Sequence, residues 1–208
     1  MLELLITGVP VNFHWAPAGS FLMGSPESED GRREYETQHA VLLTQGFWVA
    51  ETETTQELWQ AFMGNNPSRF GGSEQLPVER VSWYDCQEFV QKLNDFYSSV
   101  LPNGYKYAMP TEAQWEYACR AGTTTPFHFG DSLNGDKANC NGDYPYGTSA
   151  KGRILREDDA GEELRGERLG LVRHARQCVG MDVGLVRSRL WFVRRRTRFG
   201  GNTGSDRS

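Results

Sequence analysis

An α+β fold with short strands, three helices and long irregular loops is the class this sequence predicts. Three features carry that expectation: three helix starts marked by capping side chains, several short apolar runs bounded by turn residues, and a long Gly/Asn/Asp stretch with no helical potential. The composition agrees with one soluble globular domain whose core is hydrophobic. The chain has 208 residues, 38% of them hydrophobic, with 23 Gly, 9 Pro and only 4 Cys, which excludes collagen, coiled coil and a disulfide scaffold. No apolar run reaches the ~18 residues of a membrane span. The start MLELLITGVPVNF lacks the basic region and cleavage site of a secretory signal, so the expected location is cytoplasmic by default.

Taken in order, GSFLMGS (19–25) and TQGFWVAETE (44–53) have strand length and turn-rich borders. Thr54 and Glu57 then have capping-box spacing, and Leu58, Trp59, Phe62 and Met63 recur at helical intervals up to Gly64. A second helix starts at Ser82 with Asp85. Its stripe of Cys86, Phe89, Val90, Leu93, Phe96 and Tyr97 precedes Pro102, and Glu88, Gln91 and Lys92 mark the exposed side. GYKYAMP (104–110) is a further strand candidate. Thr111 and Gln114 open the third helix, with Trp115, Ala118 and Cys119 inward and Gly122 as the natural stop. The stretch from Thr123 to Ala150 is loop, held by tertiary contacts or an ion.

Charge divides the chain at that point. Residues 1–150 carry 8 Lys and Arg against 19 Asp and Glu, a net −11; residues 151–208 carry 14 against 8, a net +6. All nine prolines and 22 of the 25 aromatic residues lie in the first part. Two segments follow: 1–150, a folded domain, and 151–208, a basic tail that is out of frame or disordered.

The words GSFLMGS (19–25), PVERVSWYDCQEF (77–89), MPTEAQWEYACRAGTTTPFHFGD (109–131) and ANCNGD (138–143) resemble, in the same order, the formylglycine-generating or sulfatase-modifying factor family. The resemblance covers roughly residues 12–150, the N-terminal two-thirds of such a domain. It implies a compact C-type-lectin-like fold, here incomplete at its C-terminus, with bound calcium. In active members it further implies a copper-dependent oxidoreductase that converts a cysteine of a client sulfatase into formylglycine, a step of protein maturation. Asn139 matches the family's calcium-ligating Asn, with the Cys140 carbonyl as the next ligand, since a hard cation takes oxygen donors; a plain turn residue is the alternative for Asn139.

Beyond residue 150 the family's phrases do not appear. Yet the codons permitted for Ile154–Asp182, read from the second nucleotide, allow YLEKTTPV, SY and ANAWGLYDMHGNVWEW. The hypothesis is a frameshift near Gly152. An unbroken reading frame in the gene, with no single-base change that restores the motif, would refute it.

For chemistry, the family's C-terminal cysteine pair is missing from these residues. Cys86 and Cys119 sit on apolar helix faces, Cys140 in a loop and Cys178 in the tail, and none has CxxC spacing. His14, His39, His128 and His174 form no zinc or iron motif. Trp115 reads as core. Glu112 and Glu116 read as first-turn and solvated-face residues, and Arg120 as a dipole partner or half of an internal ion pair. RRRTR (194–198) lacks the aromatic platform of a nucleic-acid reader, so no nucleic-acid or membrane partner is expected. The reading is a member of this family that does not catalyse and binds no copper, with no catalytic residue assigned. A lectin-like module binding peptide, protein or carbohydrate is the alternative.

Overall fold

The computed structural model describes residues 1–137, 142–152 and, for the backbone alone, 192–195. The chain enters as a β-hairpin. Strand β1 (Leu2–Ile6) pairs antiparallel with β2 (Val9–Ala16), with Ile6 opposite Val9. The two residues between them, Thr7 and Gly8, have φ of 53° and 88°, which is the double left-handed geometry of a two-residue type I′ turn. A β-branched residue is strained there. Thr7→Asn is therefore expected to gain about 0.5–1 kcal/mol, part of the ~1–2 kcal/mol cost of the left-handed region. A thermal midpoint no higher than that of the parent would contradict this.

Next come β3 (Gly19–Met23) and β4 (His39–Leu43), a separate antiparallel pair, and then β5 (Phe47–Ala50). Helices α1 (Gln56–Met63) and α2 (Trp83–Tyr97) follow, then β6 (Tyr105–Ala108) and α3 (Glu112–Arg120). Phe192–Arg195, inside the segment expected as a tail, forms β7. The main sheet has the order β1-β2-β5-β7-β6, every neighbouring pair antiparallel.

Alternation along the strands decides which helix covers which face. Val9, Val11, Phe13 and Ala50 point to one side and pack with Leu58 and Trp59 of α1 and with Cys86, Phe89 and Leu93 of α2. Phe47 and Val49 point to the other, against Trp115, Tyr117 and Ala118 of α3. One face is thus covered by α1 and α2 and the other by α3 around β5, while along β1 and β2 that second side is open, with Glu3, Leu5 and Pro10 exposed.

The helices start where capping chemistry puts them, with one shift. Thr55, not Thr54, caps α1 and accepts from the Leu58 amide at 3.2 Å. Thr54 is buried, and its carbonyl receives the Val78 amide at 2.9 Å, so it belongs to the extended chain before the helix. Gly64 ends α1 at φ 75°. Ser82 and Asp85, and Thr111 and Gln114, form reciprocal capping boxes on α2 and α3. The stop of α3 differs from expectation: Ala121 (φ 46°) already turns left-handed before Gly122 (φ 89°).

Phe96 also departs from the expected buried stripe, being 64% exposed. Helix α1 ends too early to cover it; Phe62, from the last turn of α1, reaches its ring edge-on at 5.8 Å between centroids, and the adjacent Tyr97 at 4.9 Å.

In the α2 cap, the Ser82 hydroxyl donates to the Asp85 carboxylate at 2.7 Å and the Ser82 amide at 2.8 Å. These bonds, the hydroxyl first, hold Asp85 below its ordinary value. The depressed folded-state value means the cap contributes fully above about pH 4, the unfolded value, and weakens as pH falls through the lower folded one. Asp85→Asn should flatten that part of the acid limb in a stability–pH profile. An unchanged profile would count against the assignment.

Candidate functional site

The face carrying the family's most distinctive words is built around a largely enclosed ion pair on α3. Glu116 and Arg120 are one helical turn apart, 2.7 Å between carboxylate and guanidinium, with side chains 15% and 10% exposed. Together they grip one peptide unit. Glu116 Oε1 accepts from the Gly24 amide at 2.9 Å, and Arg120 Nη2 donates to the Gly24 carbonyl at 2.8 Å. Gly24 stands at φ 88°, and a Cβ there would lie 2.8 Å from the Glu36 and Thr37 carbonyl oxygens. Only glycine fits between that pair and the returning chain.

From Gly24 the network continues into the loop 24–37. Ser25 donates to the Glu36 carboxylate at 2.6 Å, and Arg32 Nε donates to the Ser25 carbonyl at 3.2 Å. A second loop leans on it. Phe127, Leu133, Phe129 and Tyr146 form a small apolar cluster, and the Tyr146 hydroxyl donates to the Asp30 carbonyl at 2.9 Å. Burial, then the nearby Asp30, Asp131 and Glu36 charges, raise the Tyr146 phenol above its ordinary value. It stays a neutral donor, which is what that contact requires.

Sequence reasoning places Arg120 correctly as half of an internal pair. It misplaces Glu116, whose carboxylate is enclosed rather than on a solvated face. Trp115 packs as core against Ala16, Phe47 and Val49. Asn139 and Cys140, the expected calcium ligands, lie outside the described residues, as do His174 and Cys178. Asp143 pairs with Lys151 at 3.1 Å.

Two cysteines are described, Cys86 and Cys119, 3% and 2% exposed, both as free thiols. Among the described residues there is no group of three or more His, Cys, Asp or Glu suited to a metal ion. Cu(I) selects soft thiolate donors, and these two thiols are buried. The described donor set does not fit copper.

A groove of about 820 Å³ runs between α2 and β6. Trp83, 46% exposed, stands on its wall together with Gln87 and Gln91. Asn94, on the same helix, has turned to the backbone: its Nδ2 donates to the Tyr107 carbonyl at 3.0 Å and its Oδ1 accepts the Tyr107 amide at 2.9 Å. The outer edge of β6 is occupied by a side-chain amide there, which protects a strand that ends the sheet. Tyr107 itself is buried, and burial, with Tyr97 adding to it, pushes its phenol up to about 12.

The sheet flanked by helices on both faces, joined by long, hydrogen-bonded loops, is the α+β, C-type-lectin-like formylglycine-generating-enzyme fold. The chain belongs to the family described as sulfatase-modifying factor enzyme 1-like domain, which it matches over residues 11–160. The chaperone protein LppX of Paenibacillus barcinonensis is 31% identical over 119 residues, covering 44% of this chain and 42% of that protein. Among solved structures, Treponema denticola variable protein 1 is 27% identical with a TM-score of 0.50, covering 59% of this chain and 57% of that one. PvdO from Pseudomonas aeruginosa is 25% identical with a TM-score of 0.47, over 54% and 48% respectively. The chain thus spans about half the length of each of these relatives. Among its described residues no helix is long and apolar enough to cross a membrane.

Proposed function

We propose that this chain is a sulfatase-modifying-factor-type domain that engages an extended client peptide without oxidising it. One observation carries the absence of oxidation: the two described cysteines, Cys86 and Cys119, are buried, and no two of the four cysteines have CxxC spacing. The oxidation of a client cysteine to formylglycine calls for a paired, accessible thiol site, and a buried thiol in apolar surroundings is inert. Mass spectrometry of a cysteine-containing sulfatase peptide, incubated with this chain, copper and oxygen, should show the cysteine unconverted. Formylglycine in the product would overturn the proposal. Calcium held by Asn139 and the Cys140 carbonyl belongs to the same proposal. Excess calcium should raise the unfolding midpoint, and chelation should lower it; an unmoved midpoint would remove the ion from the account.

The second reading, a lectin-like binding module, draws on the α2–β6 groove. Gln87 lines it with Trp83, as does Gln91, whose Nε2 donates to Asp95 at 2.8 Å and whose carbonyl oxygen is left to accept, a combination suited to a neutral polar ligand such as a saccharide. Titration with neutral oligosaccharides should shift tryptophan fluorescence in the parent and leave Trp83→Phe silent. No saturable shift in the parent would dismiss it.

A further inference from the structure

We propose that Asn103 is a site of spontaneous covalent modification, where the side-chain amide is lost through a succinimide to give aspartate and isoaspartate, adding a carboxylate to the wall of the α2–β6 groove. The site does not depend on what that groove binds.

The chemistry needs an asparagine followed by a residue whose backbone nitrogen is unhindered, and glycine, with no side chain, hinders it least. That nitrogen forms a bond to the asparagine Cγ. The Cγ–Nδ2 bond breaks, and Nδ2 leaves as ammonia, taking up the proton of the attacking amide. Water then opens the ring at either carbonyl. One opening restores the main chain with an aspartate, and the other routes the main chain through the former side chain. No oxidant or reductant takes part.

Three Asn-Gly pairs occur in the sequence, Asn103-Gly104, Asn134-Gly135 and Asn141-Gly142; Asn141 lies outside the described residues. The fold treats the other two in opposite ways. Asn103 is exposed, in the turn that the Tyr105 amide closes on the Pro102 carbonyl at 3.0 Å, and Gly104 stands at φ 90°. Among the described residues neither Asn103 nor Gly104 has a hydrogen-bond partner. The leaving amide and the attacking nitrogen are both free to come into line, as ring closure requires. Asn134, by contrast, is tied at both ends of its amide. Its Nδ2 donates to the Ala150 carbonyl at 3.3 Å, and its Oδ1 accepts the Asp136 amide at 3.3 Å. Gly135 is buried, its amide nitrogen packed so closely on Gly152 that a Cβ there would not fit. Ring closure at Asn134 must first break these contacts, and that cost enters the barrier.

The product alters the groove at a defined place. Asn103 and Gly104 line it beside Lys106 and Tyr107, so the new carboxylate changes the charge that a ligand meets there. The isoaspartyl form also lengthens the main chain in the turn that leads into β6.

The test ages the full chain at neutral pH and follows each Asn-Gly peptide by mass spectrometry, with methyl transfer by an isoaspartate methyltransferase to mark isoaspartate. In the native protein Asn103 should convert at least about tenfold faster than Asn134, the factor in rate that the retained Asn134 hydrogen bonds make. In guanidinium chloride, where the turn and the Asn134 contacts are gone, the two should convert at similar rates. Native conversion of Asn134 as fast as Asn103, or an Asn103 that keeps its amide, overturns the proposal. So does the same preference for Asn103 in denaturant, because it would then come from the neighbouring sequence and not from the fold.

Discussion

Arg120→Met should lower the free energy of unfolding by up to about 3–5 kcal/mol, the range for leaving one partner of an enclosed pair uncompensated. The isolated charge would be Glu116, 15% exposed, which also serves as acceptor for the Gly24 amide. The guanidinium is bonded twice over, to that carboxylate and to the Gly24 carbonyl. Its removal therefore unfastens β3 from α3 as well as stranding an ion. Replacing both members, Glu116→Leu with Arg120→Met, should recover much of the loss, because no charge then stays behind. Urea titrations of the two single variants and the double variant measure this. A loss below about 1 kcal/mol for Arg120→Met, the range of a surface pair, would show that the site is open to solvent.

Phe89→Ala is expected to cost a similar 3–5 kcal/mol, as lost transfer energy plus a cavity. Phe89 is fully buried at the centre of the larger core. Its ring stacks on Trp59 at 5.0 Å and 17°, and meets the edge of Phe62 at 5.6 Å and 87°. It is thus the most deeply buried of the α2 rings that meet α1, Phe96 and Tyr97 also touching Phe62. The unfolding midpoint in urea reports the loss, and near-ultraviolet dichroism should lose the Trp59 signal in parallel. A variant that unfolds within about 1 kcal/mol of the parent would mean that the two helices do not meet there.

Local chemistry made the helices legible in the sequence. Capping boxes are short-range, so Ser82 with Asp85 and Thr111 with Gln114 identify their helix starts without tertiary information. Thr55 for Thr54 is a one-residue error of the kind adjacent threonines invite, resolved only by the Val78 contact that keeps Thr54 extended. The β1–β2 hairpin is readable in the same way: Leu2, Leu4 and Ile6, then Val9, Val11 and Phe13, alternate about the Thr7-Gly8 turn. Strand β4 carries no turn signature of its own and depends on β3.

Polar side chains with long-range partners were harder. Glu116 looks like any solvated helical carboxylate until Gly24, 92 residues earlier, is placed beside it. Gln56 is similar: it is buried, donating to the Phe70 carbonyl at 2.9 Å and accepting from Asn66 at 2.8 Å, so that it holds the loop after α1. The one usable signal was at Asn94, a polar residue placed between Val90 and Tyr97 on an otherwise apolar stripe. Such a residue must find a buried partner, which here is the backbone of β6.

At the centre of the account is a family framework whose described thiols are structural rather than reactive. Alkylation of the native protein with iodoacetamide, followed by peptide mass spectrometry, tests that directly. Cys86 and Cys119 should remain unmodified in the native state, both should be labelled in denaturant, and neither should appear in a disulfide-linked peptide. Rapid native labelling of either residue, or a disulfide that involves Cys86 or Cys119, would contradict it.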